Sequence, residues 1–207
     1  MHQEAITSEI KNVLDELSIP DGFYLAGGTA LAMQIGNRLS YDLDFLNPRQ
    51  IKAGTLSDIE SRLGQKASEV LINNPDQLTM RVSGVKLTFL HYPFPLLLPL
   101  KEFHGMPVAD VPEIAAMKAY TIGRRGTLKD YVDLFFIVDG GLPIRKIIEM
   151  SFQKFGEVFN DRLFLEQLVY LKDIPPEEIT FLSRKVSKEE IEKFFKEKIA
   201  MEFGMEQ

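Results

Sequence analysis

Ile6, Ile10, Val13, Leu14 and Leu17 recur at helical spacing, and Pro20 ends the run. The first predicted element is therefore an amphipathic helix. A short continuous apolar run at 23–26 stops at Gly27-Gly28-Thr29, which reads as a buried strand leading into a turn. Residues 28–35 follow as a short helix, with Gly36-Asn37 as its stop. Residues 41–46 form the next strand, closed by Asn47-Pro48. An amphipathic helix over 56–66 and a short strand over 69–72 come next, before the turn Asn73-Asn74-Pro75-Asp76. Alternating stretches on either side of Ser83-Gly84, residues 78–82 and 85–92, predict a hairpin.

Residues 92–100 are apolar, irregular and rich in proline, which favours extended backbone. The segment either crosses from one half of the molecule to the other or packs as a loop. Beyond Val111 the period becomes helical, over 114–122, 128–138, 144–155 and 162–171. Ser187 with Glu190 forms a capping box for a last helix, whose inner face carries Ile191, Phe194, Phe195 and Ile199. The fold class read from this pattern is α+β: a mixed αβ part, 1–105, followed by a helical part, 106–207. No internal repeat or low-complexity tract is visible.

Composition narrows the classes. At 207 residues the chain makes one large domain or two small ones, and its 45% hydrophobic content is ordinary for a protein with a real core. The absence of cysteine excludes a disulfide frame and thiolate chemistry. No apolar run reaches the roughly 18 residues of a membrane span. Residues 1–17 lack the charged-then-apolar pattern of a secretory signal, so the expected location is cytoplasmic. The net charge of −6 argues against broad nonspecific binding to nucleic acid, though not against a local basic groove.

The chemistry concentrates at residues 23–48. Period-two geometry sets Asp42 and Asp44 on one face of their strand. Two adjacent carboxylates repel each other, and a divalent cation relieves the repulsion. Mg²⁺ suits such oxygens, taking one or two carboxylates together with substrate phosphates. The Gly27-Gly28-Thr29 turn opens a helix, and a helix N-terminus favours an anion. Taken singly, Gly-Gly is also a plain turn, and Asp-x-Asp a surface or capping pair. Their joint spacing fits phosphoryl or nucleotidyl transfer. Ser40 shares the face of Asp42. Arg38 either holds the aspartates or a phosphate, or is a surface residue before the strand. Tyr24 and Phe45 belong to the core. His2, His91 and His104 lack metal-ligand spacing, so zinc is not expected.

This stretch resembles the signature of the polymerase-beta-like nucleotidyltransferase superfamily: Gly-Gly or Gly-Ser, a short helix, then Asp-x-Asp. It looks specifically like the AbiEii/AbiGii toxin family. Residues 108–137 resemble the same family, whose pattern there is a helix with a Lys and an Arg, then a Lys/Arg-Asp-x-x-Asp helix. Lys118, Arg124 or Arg125, Lys129, Asp130 and Asp133 match. The resemblance implies a nucleotidyltransferase core whose active-site cleft is completed by the helical part. The implied catalytic residues are Asp42, Asp44, Lys118 and Asp130, with Asp130 ranked ahead of Asp133. The implied nucleotide contacts are Gly27, Gly28, Thr29, Arg38, Ser40, Lys118 and Arg125, and the metal ligands Asp42 and Asp44. Mg²⁺ or Mn²⁺ would be the cofactor and an NTP the substrate. The acceptor would be a tRNA-like RNA or a protein hydroxyl. A toxin–antitoxin or phage-defence role would bring a cognate antitoxin as partner.

The residues of the second stretch also carry plainer readings. Lys118 and Arg125, seven apart, share a helical face, and a lysine is a mobile point charge suited to phosphate. The same face serves equally as a solvated one. Asp133 can instead pair with Lys129 at i, i+4. Arg124, Arg125, Lys129, Arg184, Lys185 and Lys188 are either a nucleic-acid groove or ordinary surface charge. One departure stands out: many members of the superfamily carry a third carboxylate on the strand after Asp-x-Asp, where this chain has Thr88. A catalytically weak or inactive nucleotide- or partner-binding module on the same fold is therefore the alternative function.

Overall fold

Residues 1–63 and 67–204 are described by the computed structural model. Strands β1 (Tyr24–Ala26) and β2 (Asp42–Asn47) run antiparallel inside a sheet of seven strands among the described residues. The others are β3 (Ala67–Asn73), β4 (Gln77–Val82), β5 (Val85–His91), β6 (Lys101–Phe103) and β7 (Met106–Val108). Their order across the sheet is β3-β4-β5-β2-β1-β7-β6. The β2–β5 and β1–β7 pairs are parallel; the rest are antiparallel.

Alternation along the central strands builds the core. Leu43 and Phe45 of β2 and Leu87 and Phe89 of β5 share one face and are wholly buried. Phe45 stacks on Phe89 with centroids 5.0 Å apart, and Phe23 meets Phe89 edge-on at 5.2 Å. Truncating Phe89 to alanine would cost about 3–5 kcal/mol. Asp42, Asp44, Lys86 and Thr88 alternate onto the other face.

Among the described residues, α1 (Ser8–Glu16), α2 (Gly27–Ile35) and α3 (Thr55–Leu63) accompany this sheet. Thr7 caps α1 by accepting from the Ile10 N–H. Helix α2 ends at Gly36, whose φ of +63° is left-handed and whose N–H returns to the Ala32 carbonyl. The expected helix over 56–66 corresponds to α3, with 64–66 outside the described residues.

The proline-rich segment carries the chain as a loop from β5 to the opposite edge of the same sheet. Tyr92 donates to the Asn47 carbonyl, and after the loop the chain returns as the β6–β7 hairpin, with Val108 beside Leu25 of β1. The sequence pattern missed this hairpin. Its strands are three residues long, too short for alternation to register, and a helical part had been expected from residue 106.

The chain divides into two units, Met1–Asp110 and Val111–Gln207. The second is built from α4 (Val111–Arg125), α5 (Leu128–Asp139), α6 (Ile144–Phe155), α7 (Asp161–Leu168) and α8 (Lys188–Phe203). Tyr120 of α4 stacks on Phe155 of α6 at 4.2 Å, and Phe135 of α5 meets Phe194 of α8 at 4.5 Å. Ile191, Phe195 and Ile199 of α8 are buried, and the Ser187–Glu190 capping box forms as expected. Helix α7 stops at Leu168, short of the expected 171. Among the described residues no helix is long and apolar enough to cross a membrane.

Candidate nucleotidyl-transfer site

Gly27 joins β1 to α2 with φ at +66°, where an L-residue would be strained. A Cβ at Gly27 would also lie 3.0 Å from Asp44 Oδ2. The glycine is thus required twice, by the turn and by the close approach of the carboxylate. A Cβ on Gly28 would lie 2.6 Å from Arg38 Nη2, so the second glycine makes room for the guanidinium. Ala26, the N-cap of α2, offers no side-chain cap. A helix end of this kind attracts an anion.

Asp42 and Asp44 stand on one face of β2, Asp42 exposed and Asp44 half-buried. Across the sheet, Asp44 has Ala26 on one side and Thr88 on the other, while Asp42 has Lys86. The row continues from Lys86 to Arg81 of β4, which pairs with Glu69 at 3.6 Å. The Thr29 hydroxyl donates to the Asp42 carbonyl and lies 2.7 Å from the Ser40 hydroxyl. These bonds tie α2 to the start of β2 and commit both hydroxyls locally. Arg38 is only 3% exposed and donates to the Leu39 carbonyl at 3.0 Å. The surface reading of Arg38 is therefore corrected: its guanidinium is packed against Gly28.

The donor set fits a hard divalent cation. Two carboxylates two residues apart supply oxygens, and the missing Cβ of Gly27 leaves space beside Asp44 Oδ2. Among the described residues no group of three or more His, Asp or Glu side chains is arranged to hold a metal. Substrate oxygens and water would have to complete the shell, as Mg²⁺ usually requires.

The second unit holds a separate charged cluster. Lys118 of α4 reaches Asp130 Oδ1 at 2.9 Å and Asp133 Oδ2 at 2.7 Å, both on α5. Lys118 is nearly buried and Asp133 wholly so. Asp130 also accepts from the Thr127 backbone N–H at 3.0 Å, capping α5. Burial pushes the Asp130 carboxyl up, but the Lys118 ammonium and the Thr127 N–H outweigh it and hold the carboxyl below its ordinary value. Burial, helped by the Asp130 charge, pushes the neighbouring Tyr131 phenol up to about 12. The solvated-face reading of Lys118 is corrected, since its ammonium is enclosed by two carboxylates. The Lys129–Asp133 pair does not form either; Lys129 bonds Glu177 at 2.5 Å. Arg125 is exposed at the end of α4.

The remaining basic residues are largely engaged. Arg124 lies 3.6 Å over the Tyr120 ring and donates to the Val158 carbonyl. Arg184 pairs with Asp139, and Lys188 donates to the Ile174 carbonyl. His91 is a strand-end residue paired with Asp76 at 3.0 Å. A cavity of about 660 Å³ in the first unit is lined by Leu17, Gly22, Phe23, Phe103 and Met106, and includes none of the expected site residues. Lys86 was missed in the sequence. Alternation over 85–89 does set it on the face of Thr88, but nothing local announces that β5 lies beside β2.

The sequence pattern of the family described as "Nucleotidyl transferase AbiEii toxin, Type IV TA system" matches residues 12–204. An uncharacterised protein of Aquifex aeolicus (strain VF5) is 33% identical over 188 residues, covering 88% of this chain and 89% of that protein. MenT4, a nucleotidyltransferase toxin from Mycobacterium tuberculosis H37Rv, has a similar fold with a TM-score of 0.64 at 20% identity, covering 94% of this chain and 80% of that one.

Proposed function

The chain belongs to the AbiEii toxin family of nucleotidyltransferases, and from that premise we propose that it moves an NMP from an NTP to a hydroxyl of a tRNA-like RNA or a protein. One observation supports the reading above the rest: a Cβ on Gly27 would lie 3.0 Å from the Asp44 carboxylate, which puts the glycine turn and Asp44 side by side. The phosphate tail lies on the backbone of Gly27 and Gly28 at the N-terminus of α2. Thr29 and Ser40 hold α2 against β2, and Arg38 supports Gly28. Asp42 and Asp44 would hold Mg²⁺ or Mn²⁺, which would neutralise phosphate charge.

The acceptor oxygen bonds to the α-phosphorus while the bond from that phosphorus to the α,β-bridging oxygen breaks. The bridging electrons leave with pyrophosphate, and the hydroxyl proton passes to water. The protein contributes positioning and charge neutralisation. For Lys118 the proposal keeps the family role of contact with the triphosphate, with Asp130 and Asp133 holding the ammonium in place; Arg125 is assigned to the nucleotide likewise. Lys118→Ala should then weaken NTP binding, and unchanged affinity would remove Lys118 from the proposal. A cytoplasmic toxin restrained by a cognate antitoxin is the biological setting in which this chemistry is placed.

A second reading, a nucleotide- or partner-binding module without useful catalysis, is favoured by Thr88 standing beside Asp44 where a third carboxylate would be expected, with no cluster of three acids among the described residues. The deciding experiment supplies each α-labelled NTP, Mg²⁺ or Mn²⁺, total tRNA and cell protein. Label on RNA or protein supports the transferase and names the acceptor class. No label, with NTP binding still seen by calorimetry, supports the binding module.

A further inference from the structure

Lys86 is the Cα partner of Asp42 across the parallel β2–β5 pairing, so both side chains rise from the same face of neighbouring strands, roughly 4.8 Å apart. Opposite charges on facing positions of neighbouring strands attract, yet among the described residues neither the Lys86 ammonium nor the Asp42 carboxylate has an ion-pair partner. The next cation in the row, Arg81, is by contrast paired with Glu69. Lys86 is half-buried, so its stem is packed while its charge stays available.

Position along the sheet gives the charge a direction. β1, which ends at the Gly27 turn, flanks β2 on one side, and β5, which sets Lys86 beside Asp42, flanks it on the other. Lys86 is therefore across the Asp pair from the glycine turn. If the phosphate tail lies on the turn, the reacting α-phosphoryl group and the acceptor fall on the side of Lys86. Thr88, two residues from Lys86 on the same face, brings no charge there.

We infer that Lys86 is a catalytic residue of the transfer, its ammonium paired with a non-bridging oxygen of the α-phosphoryl group. This rests on the nucleotidyl-transfer reading above. As the acceptor oxygen–phosphorus bond forms and the bond to the bridging oxygen breaks, pyrophosphate takes the bridging electrons and water takes the hydroxyl proton. Lys86 neither gives nor takes a proton; it offsets the negative charge on the phosphoryl oxygens.

The test compares Lys86→Gln, Lys86→Arg and Arg81→Gln with the unaltered chain, using α-labelled ATP, GTP, CTP and UTP for transfer and calorimetry for binding. Lys86→Gln should lower kcat by on the order of 100-fold while the Kd of the NTP changes less than about two-fold. Lys86→Arg should recover part of kcat. Arg81→Gln, which removes an equal charge one strand further out, should leave kcat within about two-fold. An unchanged kcat in Lys86→Gln overturns the inference. So does a loss confined to NTP affinity, which would place Lys86 on the phosphate tail, or an equal loss in Arg81→Gln, which would indicate only a general field. Lys86→Gln retaining kcat while Asp42→Asn with Asp44→Asn loses it removes Lys86 alone; no transfer by the unaltered chain removes the underlying reading and the inference with it.

Discussion

Asp44 and Thr88 stand side by side across the parallel pairing of β2 and β5, a half-buried carboxylate next to a buried hydroxyl. A threonine oxygen is a weak metal ligand and cannot serve as a carboxylate base, so the negative charge at this point of the sheet comes from Asp42 and Asp44. Replacing Thr88 by Asp would add a third carboxylate to an enclosed position. Without metal the variant should be less stable by about 1–3 kcal/mol, from burial and like-charge repulsion. Millimolar Mg²⁺ should then raise its melting temperature more than that of the unaltered chain. Equal Mg²⁺-induced shifts in the two would show that no cation is held beside Asp44.

Gly27 tests the turn. An alanine there must adopt a left-handed conformation, at a cost of about 1–2 kcal/mol, and its Cβ would meet Asp44 Oδ2 at 3.0 Å. Gly27→Ala should lower stability in urea by that amount and lower transfer further than the stability loss explains. A variant with full transfer would separate the turn from the site.

Glu113 and Lys154 form a buried ion pair at 2.5 Å between α4 and α6. Burial pulls the Lys154 ammonium below its ordinary pKa, and the Glu113 carboxylate pushes back. Lys154→Met alone strands a buried carboxylate and should cost about 3–5 kcal/mol. Adding Glu113→Leu should recover most of that loss. Thermal or urea melts of the two variants decide it; a double variant as unstable as the single one would mean that the pair does more than satisfy itself.

The Asp130 carboxyl sets an acid limit. Its folded pKa is held below the ordinary 3.8, so the stability it contributes is fully present above that value and is lost as pH falls through the lowered one. Stability measured below pH 4 should therefore decline more steeply for the unaltered chain than for Asp130→Asn. Parallel declines would assign the acid sensitivity to other groups.

What was legible in the sequence was local. The turn at Gly27, the stop at Gly36, the hairpin at Ser83-Gly84 and the Ser187 capping box each announce themselves within a few residues, because caps and turns are decided by neighbouring backbone. The shared face of Asp42 and Asp44 follows from strand period alone. What was hidden is decided by distant partners. For Lys118 the phosphate-contact and solvated-face readings both stood open, because Asp130 and Asp133 close on it only once α4 and α5 pack together. The surface reading of Arg38 stayed open beside the functional one because its burial depends on Gly28, ten residues earlier. Lys86 drew no notice because parallel pairing joins residues 44 positions apart, Asp42 with Lys86. The β6–β7 hairpin was masked by its short strands and the preceding prolines.

The central claim is that Asp42 and Asp44 carry the transfer. The most direct measurement is label transfer from each α-labelled NTP to total tRNA or cell protein by the unaltered chain and by Asp42→Asn with Asp44→Asn, alongside a melting curve for each. The expected result is transfer by the first and none by the second, whose melting temperature is unchanged or raised because a like-charge repulsion has been removed. Transfer by the double variant at the unaltered rate would contradict the account.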